Sequence, residues 1–151
     1  MKRVLLSLII TLVCSIGLFA TNILSAKSAS MEGPTGMSFN AEMSRSLGMD
    51  VFVSHDQSTA FAIDDDTLGK DATVKSLFTD LAKRMNINTA TFKTVKTNGG
   101  TLYTAHTDSG ERTIGMLAVP NSNKVIVIFV MGAIPVDEAI AYMKTLKPST
   151  R

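Results

Sequence analysis

Tryptophan is absent from the 151 residues, tyrosine occurs twice and cysteine once. Without tryptophan, and with Tyr103 and Tyr142 isolated, the chain has no aromatic platform for stacking nucleobases. The single cysteine, Cys14, lies inside an N-terminal apolar run, so the rest of the chain can form no disulfide, thiolate nucleophile or cysteine-metal site. Val13 precedes it where a lipidated cysteine wants a small neighbour, which argues against a lipid anchor. Charge of one sign is also scarce. The formal net charge is +2, but residues 1–30 hold Lys2, Arg3 and Lys27 and no acid, which leaves the remainder near −1. A balance of that kind offers no footprint for nucleic acid or anionic lipid. No glycine-rich phosphate loop, zinc motif or nucleophile elbow is present, so no cofactor is expected and no catalytic set is identified.

The longest hydrophobic run is N-terminal. Met1-Lys2-Arg3 is followed by LLSLIITLVCSIGLFA from Leu5 to Ala20, and small residues follow at Ser25, Ala26, Ser28, Ala29 and Ser30. Cations, apolar run and small-residue exit, in that order, predict an export signal over residues 1–30, cut after Ala26, Ser28 or Ala29. The rival reading is an uncleaved anchor, with residues 5–24 crossing the inner membrane, since a span needs about 20 mostly apolar residues. The expected location is therefore exported: periplasmic or secreted, or anchored to the inner membrane by this segment. Membrane contact is expected only there.

Residues 31–36, with Gly33, Pro34 and Gly36, read as a flexible tether, and residues 37–151 as a single domain. Phe39, Met43 and Leu47 stand four apart, predicting a short helix with one apolar side that Gly48 ends. Met49–His55 and Thr59–Asp64 are rich in β-branched and aromatic residues around a turn at Asp56-Gln57-Ser58, which predicts a hairpin. Asp65, Asp66 and the residues to Lys70 end strand character. Asp71 opens a helix whose Val74, Leu77, Phe78, Leu81 and Met85 recur at helical spacing. Strands at 89–97, 101–107, 112–119 and 124–131 then form a meander through short polar turns. Pro135 opens a closing helix with Val136, Ile140 and Met143 inward, and Pro148 stops it. The expected fold is α+β: an antiparallel sheet (hairpin plus four-stranded meander) packed with two amphipathic helices, in the order α-β-β-α-β-β-β-β-α.

The segment ERTIGMLAVPNSNKVIVIFVMGAIPVDEAIAYMKTL, from Glu111 to Leu146, resembles the end of a family of small exported bacterial proteins of unknown function. The resemblance covers the C-terminal quarter: a strand, a short turn, a very apolar strand ending near glycine, and a helix. It implies an envelope protein without assigned chemistry. The first half departs from that family, having a hairpin where more helix is expected.

Several side chains could carry chemistry. Ser54-His55-Asp56 puts three catalytic residue types in a row, but neighbours on a strand point to opposite faces and cannot form a relay. His106, Asp108 and Ser109 could assemble a hydrolytic site. His55 and His106, if their hairpins are adjacent, could share a metal with an acid. Asp64, Asp65 and Asp66 resemble the start of a calcium loop, but Leu68 and Lys75 stand where ligands five and twelve belong, which leaves at most a looser cation site at Asp64 and Asp66. Met31, Met37, Met43 and Met49 recur every six residues, a spacing that fits no helix face and reads better as core filler than as a copper site. The strand at 124–131 is apolar on both faces, and Ile126, Ile128 and Val130 are candidates for a partner surface if nothing covers them. The reading is a non-enzymatic envelope protein that binds a protein partner or small ligand through its sheet. The alternative is a metal-binding exported protein using His55, His106 or the Asp64–Asp66 loop.

Overall fold

The computed structural model describes residues 21–150. The apolar run to Ala20, with Cys14, lies outside them. Among the described residues ten strands form two antiparallel sheets with three α-helices, so the α+β class holds. No helix among the described residues is long and apolar enough to cross a membrane.

The large sheet has seven strands: β3 (Met37–Phe39), β4 (Asp50–Ser54), β5 (Thr59–Thr67), β6 (Lys93–Thr97), β7 (Gly100–His106), β8 (Arg112–Ala118) and β9 (Lys124–Gly132). Their order is β3-β4-β5-β9-β8-β7-β6. The predicted hairpin and meander are both there, and β9 joins them by pairing with β5 along its whole length, from Thr59↔Gly132 to Thr67↔Lys124. That ladder carries β5 through Asp64, Asp65 and Asp66, where the acids had suggested an end. The backbone of an apolar strand such as β9 must find partners, and this requirement outweighs the poor strand propensity of aspartate.

Residues alternate between the two faces of a strand. On one face Phe61, Ile63, Ile126, Ile128, Val130, Leu117 and Leu102 form a core with helix α3 (Val136–Met143) and Leu146. Ala139 and Met143 are that helix's buried residues, whereas Val136 and Ile140, expected inward, are only half-buried. Gly115 of β8 makes this contact possible, because a Cβ there would stand 2.8 Å from the Met143 sulfur. On the other face Ile114, Met116, Val125, Val127 and Ala105 meet helix α2 (Val74–Arg84) through Phe78 and Ala82. Phe78 lies 5.0 Å from the Phe92 ring and 5.9 Å from Tyr103, centroid to centroid. Burying such a side chain contributes about 1.5–3 kcal/mol. The α2 helix starts at Val74 rather than near Asp71, because Thr73 and Ser76 exchange side-chain bonds with each other's backbone N–H in a capping box.

The N-terminal part differs from expectation. Residues 21–30, assigned to the leader, supply β1 (Thr21–Ser25) and the start of β2 (Ala29–Pro34). The 31–36 segment is mostly β2 rather than a tether. With β10 (Lys147–Pro148) these strands form a three-stranded sheet, β1-β2-β10, over the α3 side of the core. Ala29, Met31 and Gly33 point inward at every second residue, a strand period that the turn-forming Gly33 and Pro34 disguise.

The short helix α1 (Ala41–Leu47) is where the sequence places it, N-capped by Asn40 and ended by Gly48 in the left-handed conformation. Its apolar side does not join a core. Phe39, Met43 and Leu47 are exposed, because α1 hangs beside β4 at the edge of the sheet, with Val51 N–H donating to Ser44 Oγ.

Candidate functional site

Helix α2 is about 16 Å long at 1.5 Å per residue and lies across β7 and β8. The neighbouring parts of β9 and β5 extend past its flank. The result is a groove of about 200 Å³ between α2, β9 and β5. Its floor is apolar: Met116, Val127 and Phe129 from the sheet, Leu77 and Leu81 from the helix. Its rim is polar: Asp64, Asp66, Asp80 and Arg84, three carboxylates against one guanidinium. Alternation along β5 explains the carboxylates, since Asp64 and Asp66 sit opposite Val127 and Val125 on the α2 side and Asp65 opposite Ile126 on the other.

The same acids also finish an edge. The β4 strand pairs with β5 only as far as Asp50↔Ile63, so β5 overhangs it from Asp64 to Thr67. There the Asp65 N–H donates to Asp64 Oδ1 at 2.9 Å and the Thr67 N–H to Asp66 Oδ1 at 2.7 Å. These bonds satisfy amides on the overhang, and negative charge deters another strand from adding there. Partial burial, then the charges of Asp65, Asp66 and Asp50, push the Asp64 carboxyl above its ordinary value, against the opposing pull of the Asp65 N–H. A carboxylate in that state gains from a cation placed beside it. A second, more polar cleft of about 470 Å³ adjoins across Asp64 and Met49, lined by Phe39, Arg45 and Asp65.

The two histidines are not brought together. His55 follows β4 and His106 ends β7, with β5, β9 and β8 between them. Four strand spacings put them ~19 Å apart across the sheet, too far to share an ion. Among the described residues no group of three or more His, Cys, Asp or Glu side chains is arranged to hold a metal.

The remaining candidates other than His55 are occupied by local structure. The Asp56 Oδ1 accepts from Ser58 N–H at 3.0 Å and from the Ser54 and Ser58 hydroxyls at 2.7 Å each. The Ser58 N–H foremost, then the two hydroxyls, holds the Asp56 carboxyl down to about 2. The Ser54-His55-Asp56 run is thus a turn clasp, with His55 exposed beside it. In the second set, His106 Nδ1 lies 2.8 Å from the Thr107 carbonyl, to which it donates in the matching tautomer, and Asp108 Oδ1 accepts from Asn88 Nδ2 at 2.9 Å. Ser109 Oγ contacts Thr107 Oγ1. No nucleophile–base–acid relay runs through His106, Asp108 and Ser109.

The expected partner surface is overturned. Ile126, Ile128 and Val130 are 2%, 0% and 1% exposed, sealed by α3 and the small sheet. The open part of β9 is on its other face, at half-buried Phe129 and Met131. Sequence reasoning passed over the floor residues Met116, Val127 and Phe129 because they look like any core residue. Only the strand period that separates Phe129 from Ile128 could have marked them.

No family model and no curated protein sequence matches the chain. A crystal structure from Bacteroides thetaiotaomicron is similar at 20% identity and a TM-score of 0.46, over 82% of this chain and 46% of that one. The chain thus spans less than half the length of that neighbour.

Proposed function

We propose that this is an exported, non-enzymatic envelope protein that binds a small ligand on its sheet, and that the ligand is an organic cation with a compact apolar body. Export rests on Met1-Lys2-Arg3 and the apolar run behind it. The absence of enzymatic activity rests on the engagement of His106, Asp108 and Ser109 in turn contacts. The single observation behind the ligand class is an apolar floor at Phe129, Val127 and Met116 beneath the part-buried Asp64 carboxylate. Small-ligand sites combine mostly apolar walls with a few fixed polar groups, and this groove has both. The cation would sit at Asp64 with Asp66 and Asp80 nearby, and the apolar body against Phe129 and the α2 leucines.

Titration with 2-phenylethylammonium, compared with the isosteric neutral 2-phenylethanol and the anion phenylacetate, tests this. Selective binding of the cation is expected, with NMR shifts confined to residues around Phe129 and Leu81. The Asp64→Asn variant should bind about tenfold more weakly, the equivalent of about 1.4 kcal/mol. Cation affinity should fall as pH drops through the raised value of Asp64, because protonation removes the charge that the ligand meets. Equal binding of cation and alcohol, or shifts elsewhere, would remove the reading.

A further inference from the structure

The geometry points to a fuller identity for the ligand: an α-amino acid with a large apolar side chain, its ammonium on Asp64, its side chain in the groove and its carboxylate on Arg45. The inference rests on the organic-cation reading above and adds an anionic group to it.

Asp64 is a wall of two cavities. On the α2 side it rims the groove of about 200 Å³ floored by Met116, Val127 and Phe129. On the other side it lines the cleft of about 470 Å³ between α1, β5 and the turn at Lys27 and Ser28. Met49 is the other residue common to both. The position follows from the sheet. Because β4 pairs with β5 only as far as Asp50↔Ile63, the edge of β5 is uncovered from Asp64 onward, and the cleft meets the groove there. Helix α1 stands beside that edge, and Arg45 in its last turn lines the cleft with Ser44. The two cavities thus differ in charge. The groove carries three carboxylates against one guanidinium, whereas the cleft sets Lys27 and Arg45 against Asp50, Asp64 and Asp65.

Two of the cleft's acids already have counterparts. Asp50 Oδ2 accepts from Lys27 N–H at 2.6 Å. Asp65 lies on the Ile126 side of the sheet, where it lines a depression of about 160 Å³ with Lys27 and Lys124. Arg45 and Asp64 are then the opposed charges that a ligand in the cleft would meet. Three features converge at Asp64: an apolar groove, a carboxylate whose charge is left poorly compensated by burial and neighbouring acids, and a guanidinium lining the adjoining cleft. In an α-amino acid, an apolar side chain, an ammonium and a carboxylate diverge from one tetrahedral carbon. Placed at the junction, that carbon sends the ammonium to Asp64, the side chain over Phe129 and the carboxylate toward Arg45. The planar fork of arginine matches the two oxygens of a carboxylate, which the point charge of lysine does not. The ammonium in turn offsets the acids of the rim, which repel a carboxylate that lacks one.

Calorimetric titration of the purified protein with L-phenylalanine, L-phenylalaninamide and 2-phenylethylammonium tests this, the last being phenylalanine stripped of its carboxylate. L-Phenylalanine is expected to bind about tenfold more tightly than the other two, the gain of one charge-assisted contact. It should shift NMR amide signals of residues 44–48 as well as those around Phe129 and Leu81, whereas 2-phenylethylammonium should shift the second group alone. Arg45→Gln should erase the preference for L-phenylalanine, and Arg45→Lys should restore part of it. Equal affinity for L-phenylalanine and 2-phenylethylammonium overturns the inference and leaves the cation reading standing. Equal affinity for L-phenylalaninamide overturns it too, in favour of a ligand whose carboxylate is not read. Retention of the preference by a folded Arg45→Gln variant overturns the role of Arg45. Failure of all three compounds to bind removes the cation reading, and this inference with it. The comparison of ligands needs no variant, so a misfolded Arg45→Gln protein would not spare the inference.

Discussion

Ile128 and Phe129 are neighbours on β9 and meet opposite fates. Ile128 is sealed beneath α3 and the three-stranded sheet, and Phe129 is half-buried in a groove that helix α2 does not close. Both residues are large and apolar, and the strand is equally hydrophobic on its two sides. The difference lies in the covering layers. One face is covered by a helix and a second sheet together, while the other relies on a single helix of about 16 Å laid over β7 and β8. An apolar strand tells how strongly its faces seek cover, and the supply of covering elements decides which face keeps an opening.

The same substitution at the two positions would break or sharpen that contrast. Ile128→Asp places an unpaired carboxylate in the sealed core and should cost about 4–5 kcal/mol, enough to unfold a domain of ordinary stability. Phe129→Asp sets the same charge where water can reach it and should cost about 1–2 kcal/mol. Urea denaturation of both variants measures the gap, and equal losses would mean that the groove is closed in solution. The smallest effect separates two carboxylates of one hairpin. Asp56 is held down to about 2 by the Ser58 N–H and its neighbours, so its contribution to stability is full above the unfolded value and is lost as pH falls through about 2. Asp64 is raised, so its contribution is full below the unfolded value and is lost as pH rises through its folded one. NMR titration of the side-chain carboxyl carbons should place Asp56 near 2 and Asp64 above the ordinary aspartate value. A shared midpoint would show that the turn clasp and the part-buried rim are not formed.

Phe39, Met43 and Leu47 show the reach of periodicity and its limit. Their spacing predicted a helix, and α1 is there, but the expected burial is not, because spacing reports which side of a helix is apolar and nothing about what stands opposite. The small sheet was hidden for another reason. In β2 the inward positions are Ala29, Met31 and Gly33, and two of these are too small to register as hydrophobic alternation. In β5 the acids read as a strand end, whereas the partner β9 held the backbone extended to Thr67. The candidate site was legible only in part: Asp64 and Asp66 were singled out as possible cation ligands, while the floor beneath them was indistinguishable from core.

By itself the sequence determined the α+β class, the hairpin and meander, and the positions of the three helices among the described residues, because periodicity, turn residues and capping act over a few neighbouring positions. Only tertiary structure decided that β9 would join hairpin to meander, that residues 21–34 would pair into a second sheet, and that one flank of α2 would stay open. Those outcomes depend on contacts between segments distant in the chain, where burial is settled by which surfaces meet and not by the residues that compose them.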